Sequence, residues 1–156
     1  MKPKLPIDFN TATYDELKAY VLNELILENK DELHSILRGH IFIEWSIETL
    51  IAREIGNIDL FSKPPSFANT FARKVELAAA LDVLPDKYCK AAKELNKIRN
   101  NYAHQKNPQR LKLDQLDNLK IWDTDSHVDV YETACRNDDA VNVAMILLNA
   151  CFLKLL

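Results

Sequence analysis

The sequence predicts an all-α protein, a single-domain bundle of four to six helices. Two observations favour this fold class: apolar residues recur at helical spacing along most of the chain, and the 156 residues include only two glycines. A β-rich fold with many tight turns would need more glycine than that. At this length the chain is expected to bury a substantial core, and its charged fraction of 28% is ordinary for a globular domain.

The N-terminal residues predict an extended arm followed by a helix. Residues 1–10 contain two prolines and show no periodicity, whereas residues 11–156 are expected to form the all-α domain. Thr13 and Glu16 have the spacing of a capping box, in which each residue bonds the backbone amide of the other. The first helix should therefore begin there and extend to about residue 29.

Three further helices follow from the same reasoning. The second is predicted over about residues 31–55 and should end at Gly56; its wide apolar surface favours a central position or cover by a second subunit. A proline-containing loop comes next, and Ser66 is expected to cap a third helix that runs to about Leu81. Pro85 is well placed to start the fourth helix.

The C-terminal third is less regular until the last helix. Leucines and an isoleucine within residues 111–121 predict a short helix, and residues 122–137 give no assignment. Asn137 or Asp138 is expected to cap a final apolar helix that occupies the C-terminal segment. That segment is shorter than the roughly 20 residues a membrane span needs. We therefore expect a buried helix and no membrane partner.

The cysteines and the N-terminus bear on the compartment. Three cysteines at long spacings indicate reduced thiols, with neither a disulfide framework nor a zinc site: Cys89, Cys135 and Cys151. The N-terminus lacks the apolar core of a signal peptide. These features predict a cytoplasmic protein.

Candidate metal ligands are weak. His34 and His40 are six residues apart on one helix, which suits shared ligation poorly, and we interpret both as surface or core residues. Acidic residues alternate with His127 over residues 123–129 and could hold a hard cation, although a solvated loop is the preferred interpretation. We expect no metal and no cofactor.

Charge is distributed unevenly. The net charge is −3, yet Lys87 to Lys112 contains eight basic residues and a single acid, Glu94. A local basic surface can attract phosphate even on an acidic protein, although a lysine-rich face is also typical of an exposed helix. The expected nucleic-acid contacts are Lys93, Asn96, Lys97, Lys106 and Arg110.

The most suggestive chemistry lies at the predicted end of the fourth helix. Arg99, Asn100 and His104 follow one another within six residues. An arginine can bind phosphate through a rigid fork of donors, and a histidine can take or give a proton near neutral pH. RNA is cleaved without a metal when its own 2′-hydroxyl attacks the adjacent phosphate, and such a site requires both groups. The same residues could instead stabilise the C-terminal end of the helix by interacting favourably with its dipole.

A single histidine supplies half of an acid–base pair. In a two-fold dimer a second His104 would supply the other half, and most soluble oligomers have such symmetry. A nuclease therefore implies a homodimer with the fourth helices close together.

The motif resembles a known signature. Arg99-Asn100-x-x-x-His104 is similar to the Arg-polar-x-x-x-His signature of the HEPN superfamily, the higher eukaryotes and prokaryotes nucleotide-binding domains. Arg38-Gly39-His40 on a long helix comes first, and the pattern Phe67-x-x-x-Phe71-x-x-Lys74-x-x-Leu77-Ala78-x-Ala80-Leu81 follows. This order is similar to bacterial proteins grouped with the mannitol repressor.

The resemblance has clear implications. It implies an all-α bundle, dimerisation and, as in many members, metal-independent endoribonuclease activity used in toxin–antitoxin or antiphage systems. It assigns Arg99 and His104 as catalytic, with Asn100 as their polar helper. Lys106 stands where several HEPN toxins carry a tyrosine that an antitoxin modifies, and this departs from the pattern.

The alternative is a non-catalytic, mannitol-repressor-like regulator that acts through protein–protein contacts. A DNA-reading helix is not expected, because Pro64 and Pro65 would break the recognition helix of the one candidate helix-turn-helix. Glu44 and Glu48 share a face of the second helix, and we expect them to face the motif and orient Arg99.

Overall fold

All regular structure in the described part of the chain is helical, which confirms the predicted fold class. A computed structural model describes residues 8–26, 32–63, 65–105, 113–122 and 140–156. The helices are α1 (Tyr14–Ile26), α2 (Glu32–Ile55), α3 (Phe71–Ala80), α4 (Asp86–His104), α5 (Leu113–Leu116) and α6 (Ala140–Leu155). Two 3₁₀ turns occupy Ser66–Ala68 and Asp117–Leu119.

Several sequence assignments lie outside the described residues. They include the first seven residues of the arm, the two RNA-contact candidates Lys106 and Arg110, the acidic alternation at 123–129 and the cap expected before α6. The described end of the arm forms a turn, in which the amide of Ala12 donates to the carbonyl of Asp8 at 3.0 Å.

The start of α1 confirms the capping box. The amide of Thr13 donates to Glu16 Oε2 at 2.8 Å, and the amide of Glu16 donates to Thr13 Oγ1 at 3.2 Å. This reciprocal pair satisfies two of the amides that a helix N-terminus leaves without partners.

The start of α3 differs from the sequence prediction. Ser66 opens the 3₁₀ turn, the chain then leaves helical geometry, and Thr70 caps α3 with extended φ and ψ of −121° and 155°. Thr70 Oγ1 accepts from the amide of Arg73 at 3.3 Å. The Arg73 side chain bonds back to the Ser66 carbonyl at 2.8 Å, so the turn is tied to the first turn of α3.

Helix α2 is central, as its wide apolar surface predicted. It contacts α1, α3, α4 and α6, and ten of its residues are buried. Gly39 lets α6 approach closely, since a Cβ there would lie 3.0 Å from both the Asn149 amide nitrogen and the Met145 sulfur. Gly56, with φ of 77°, ends the helix as predicted.

Helix α6 completes the core. It packs on α1 and α2, and its buried residues include Phe152 and Leu148, both with no exposed surface. None of the described helices combines the length and apolarity that crossing a bilayer requires.

Candidate active site

The last turns of α4 are held firmly against the core. Leu95, Ile98 and Tyr102 are buried on the inner face of α4, at helical spacing. The Tyr102 hydroxyl donates to Glu32 Oε2 at 3.0 Å, which joins the end of α4 to the start of α2. These contacts therefore hold the last turns of α4 in place, and the opposite face of the same turns points outward.

The side chains of Arg99 and Asn100 bond to each other in these last turns of α4. Arg99 Nη1 donates to Asn100 Oδ1 at 2.9 Å, and both side chains are half-buried. One hydrogen bond uses one of the five guanidinium N–H donors, so the others remain for a phosphate. Asn100 thus orients the arginine.

His104 is the last residue of α4 and is exposed. It lies one helical turn beyond Asn100, and α-helical geometry separates it from Arg99 by about 7.5 Å along the axis. No described residue forms a hydrogen bond with its ring, so the imidazole is accessible to a ligand.

His40 joins this site from α2, and sequence reasoning missed it. Its Nε2 lies 3.1 Å from Asn96 Oδ1, and its ring centroid lies 4.2 Å from that of Phe71 on α3. An amide oxygen only accepts, so Nε2 carries the proton and donates to Asn96. Asn96, expected to contact RNA, therefore uses its oxygen for His40 and keeps its Nδ2 donor for another partner.

The electrostatic surroundings keep His40 neutral. Burial lowers the pKa of His40 below 6.5, and its effect exceeds that of the Asn96 hydrogen bond and the Glu44 charge, which favour the cation. The positive charges of Arg99 and Lys74 lower the pKa further. A neutral imidazole beside Arg99 adds no competing positive charge to the site.

Glu44 and Glu48 have a different role from the one expected. Both accept from Lys74 Nζ, at 2.7 and 2.6 Å, and neither contacts Arg99 among the described residues. Burial opposes the charged form of Lys74, but the two carboxylates outweigh it and raise the pKa of Lys74 above 10.5. The ion triad clamps α3 onto α2 behind His40.

Lysines extend the exposed face of α4 away from His104. Lys93 and Lys97, two of the expected RNA contacts, are exposed and share a face of the helix with Asn100 and His104. No described carboxylate pairs with either lysine. Of the five expected RNA contacts, these two are therefore accessible, Asn96 is engaged with His40, and Lys106 and Arg110 lie outside the described residues.

The thiols and other potential metal ligands do not add to this site. Within the described ranges, no three His, Cys, Asp or Glu side chains gather closely enough to hold a metal ion. Cys89 and Cys151 are free and buried, and burial raises the pKa of both thiols, which disfavours the reactive thiolate.

Comparison with known proteins supplies no relative. No family model, no curated protein and no solved structure matches the chain. Its function is therefore inferred from the side chains.

The position of His40 in the core was readable from the sequence, whereas its partners were not. His40 lies four residues after Ile36 and three before Ile43, on the buried stripe of α2. That spacing indicates a buried histidine. The residues that meet it come from α3 and α4, and helical periodicity carries no information about which helix faces which.

Proposed function

We propose that this protein is a HEPN-like, metal-independent endoribonuclease or RNA-binding effector of the toxin or defence type, with Arg99, Asn100 and His104 as its site. The carrying observation is the 2.9 Å bond that fixes the Arg99 guanidinium to Asn100, one helical turn from the exposed His104. A cation, an orienting amide and an accessible imidazole are among the groups that phosphodiester transfer requires.

In the proposed reaction the RNA supplies its own nucleophile. The 2′-oxygen forms a bond to phosphorus as it loses its proton, and the bond from phosphorus to the 5′-oxygen breaks. Arg99 donates charge-assisted hydrogen bonds to the non-bridging oxygens, whose negative charge grows in the transition state. The products are a 2′,3′-cyclic phosphate and a 5′-hydroxyl.

His104 transfers protons in this scheme. As a base it accepts the proton of the 2′-hydroxyl, and as an acid it protonates the departing 5′-oxygen. Both steps are needed in one turnover, so we propose a homodimer in which the two His104 residues share the work across a two-fold axis. The setting is cytoplasmic, and an antitoxin or another regulatory protein is the proposed partner.

Positioning of Arg99 is shared among neighbours. Asn100 holds one nitrogen directly, while the neutral His40 fixes Asn96 beside it. Asn96 Nδ2 then supplies a further donor toward a phosphate oxygen. We assign His40 as a positioning residue.

The activity test uses purified protein and single-stranded RNA in excess EDTA. Wild-type protein is expected to cleave the RNA, and His104→Ala is expected to lose cleavage by a factor of at least about 10². Arg99→Lys keeps the charge but loses the planar fork, so it should retain binding and lose most of the rate.

The matched control is His34→Ala, which removes an exposed histidine from α2. It should cleave like the wild type, and circular dichroism should show every variant helical. Full activity of His104→Ala, or cleavage that EDTA abolishes, would refute the proposal.

A second candidate is the non-catalytic regulator that acts through a protein partner. Two exposed apolar side chains are the contacts it would use: Ile58 is 85% exposed and Phe67 is 59% exposed. Clean wild-type protein would then leave RNA intact, and substitution of Ile58 and Phe67 by serine would abolish capture of the partner.

A further inference from the structure

A groove on the outer side of α4 carries a concentrated positive charge that the three-residue motif does not use. Its volume is about 540 Å³, and it lies between α4 and the 3₁₀ turn at residues 117–119. Its α4 wall carries Lys87, Lys90, Lys93, Glu94 and Lys97, and its other wall includes Asn118 and Ile121.

We propose that this groove binds the phosphodiester backbone of single-stranded RNA and leads the strand to His104. The inference rests on the proposed RNA-directed function and deepens it, since Lys87 and Lys90 lie beyond the motif. The occupant follows from charge complementarity: four ammonium groups face the groove against one carboxylate. A single strand fits the proposed chemistry, because in-line attack by a 2′-hydroxyl needs a flexible backbone.

The groove is aligned with the site. Successive α4 residues rise 1.5 Å, so Lys87 lies about 26 Å along the helix axis from His104, a distance that spans several nucleotides. Lys93 and Lys97 lie on the way and belong to the same face as His104. A strand that follows the lysines therefore reaches the imidazole at the end of α4.

Neighbouring acids leave most of this charge available. Asp86 pairs with Lys90 at 2.9 Å, but both side chains are at least 76% exposed, so a phosphate can compete for the ammonium. Glu94 is the only acidic lining residue, and it opposes an anion. The aliphatic lysine stems and Ile121 offer apolar surface to a ribose or base.

The test of the groove is its affinity for a labelled single-stranded RNA. The RNA is about 12 nucleotides long, which is within the usual range of single-strand binding sites. The His104→Ala background prevents cleavage during the titration. Adding Lys87→Gln and Lys90→Gln should weaken binding about 5- to 10-fold near 0.1 M salt. The slope of log affinity against log salt concentration should become shallower by about 1.4, because each lost phosphate contact removes about 0.7.

The matched control removes two exposed lysines elsewhere. Lys18→Gln with Lys63→Gln deletes the same charge from α1 and from the segment after α2, and affinity should stay within about twofold. Glu94→Gln should tighten binding, a gain that a misfolded protein would not show. Equal losses in the groove pair and the control pair would overturn the proposal.

Two further outcomes separate this inference from the nuclease assignment. In protein that retains His104, Lys87→Gln with Lys90→Gln should raise the KM for the 12-nucleotide RNA. The kcat for that RNA and the rate of cleavage of a dinucleotide should not change. An inactive wild type whose affinity still depends on the groove lysines would refute the nuclease and support the groove. Equal weakening of RNA and poly-aspartate binding would overturn RNA as the occupant in favour of an acidic protein.

Discussion

At the scale of single residues, the candidate site contains a buried histidine that stays neutral and an arginine held by a hydrogen bond. His40 is only 7% exposed and donates a hydrogen bond to Asn96. Asn100 lies one helical turn after Asn96 and accepts a hydrogen bond from its neighbour Arg99. Protonation of His40 would place a second positive charge in a partly buried site beside Arg99. The cost of that charge in low dielectric couples the fold to pH.

The first prediction concerns this coupling. The folded pKa of His40 lies below the 6.5 of an unfolded histidine, so between the two values the unfolded chain binds more protons. The stability associated with neutral His40 is fully present above pH 6.5. It is lost as the pH falls below 6.5 and through the lower pKa that His40 has in the folded protein. Urea titrations from pH 7.5 to about 5.5 should show a steeper loss of unfolding free energy for wild type than for His40→Gln.

His34→Gln is the control for this measurement, because it removes an exposed histidine and leaves His40 in place. The change in slope should be larger for His40→Gln than for this control. The same slope in His40→Gln as in the wild type would show that His40 is not held neutral.

The second prediction concerns the ion triad. Lys74→Met removes the cation and leaves Glu44 and Glu48 side by side, each less than 30% exposed. We expect a loss of about 2–4 kcal/mol in unfolding free energy, less than for a fully buried pair because both carboxylates reach solvent. Chemical denaturation gives the value directly.

Adding Glu44→Gln and Glu48→Gln to Lys74→Met should restore much of the loss, since the unpaired charges disappear. Lys90→Met removes an exposed partner of Asp86 and should leave stability nearly unchanged. A Lys74→Met protein as stable as the wild type would contradict the triad's role.

At the scale of elements, α4 combines two functions on two faces. Its inner face is anchored by buried apolar residues and by the Tyr102–Glu32 bond, and its outer face carries lysines and His104. The buried inner face fixes the backbone of α4, while the side chains of His104 and the lysines remain accessible to solvent. The same helix thus supports both the core and the candidate site.

Local signals predicted these elements well. The capping box at Thr13, the stop at Gly56 and the start of α4 after Pro85 all depend on residues within one turn, and all three are confirmed. The start of α3 was wrong because Ser66 and Thr70 are both acceptable caps. What separates the two turns is the extended backbone of Thr70, which sequence spacing alone does not reveal.

The third prediction tests that assignment. Thr70→Ala removes the oxygen that accepts from the Arg73 amide and should lower the unfolding free energy by about 1 kcal/mol. Ser66→Ala keeps the backbone carbonyl that Arg73 uses, and its effect should stay within about 0.5 kcal/mol. Equal losses in the two variants would place the functional cap elsewhere.

At the scale of the whole molecule, the candidate site is assembled where α3 and α4 pack against α2. His40 comes from α2, Phe71 from α3, and Asn96 and Arg99 from α4. The sequence predicted Arg99, Asn100 and His104 because they are neighbours along one helix. It missed His40 and misassigned Glu44 and Glu48, because their partners are 26 to 56 residues away.

The groove shows the same limit of sequence reasoning. The basic character of α4 is evident from the order of its lysines, but the opposite wall comes from the turn at residues 117–119. A line of lysines indicates a charged face, whereas only tertiary packing makes that face a groove. The proposed path of RNA is therefore a property of the fold.

The central claim is that Arg99 and His104 drive attack by the 2′-hydroxyl of RNA without a metal. The most direct measurement incubates wild-type protein in excess EDTA with an RNA and with its all-2′-deoxy and 2′-O-methyl counterparts, and identifies the product ends by mass spectrometry. We expect only the RNA to be cleaved, into fragments with 2′,3′-cyclic phosphate and 5′-hydroxyl ends. Cleavage of the deoxy strand, ends bearing a 5′-phosphate, or intact RNA would contradict the claim.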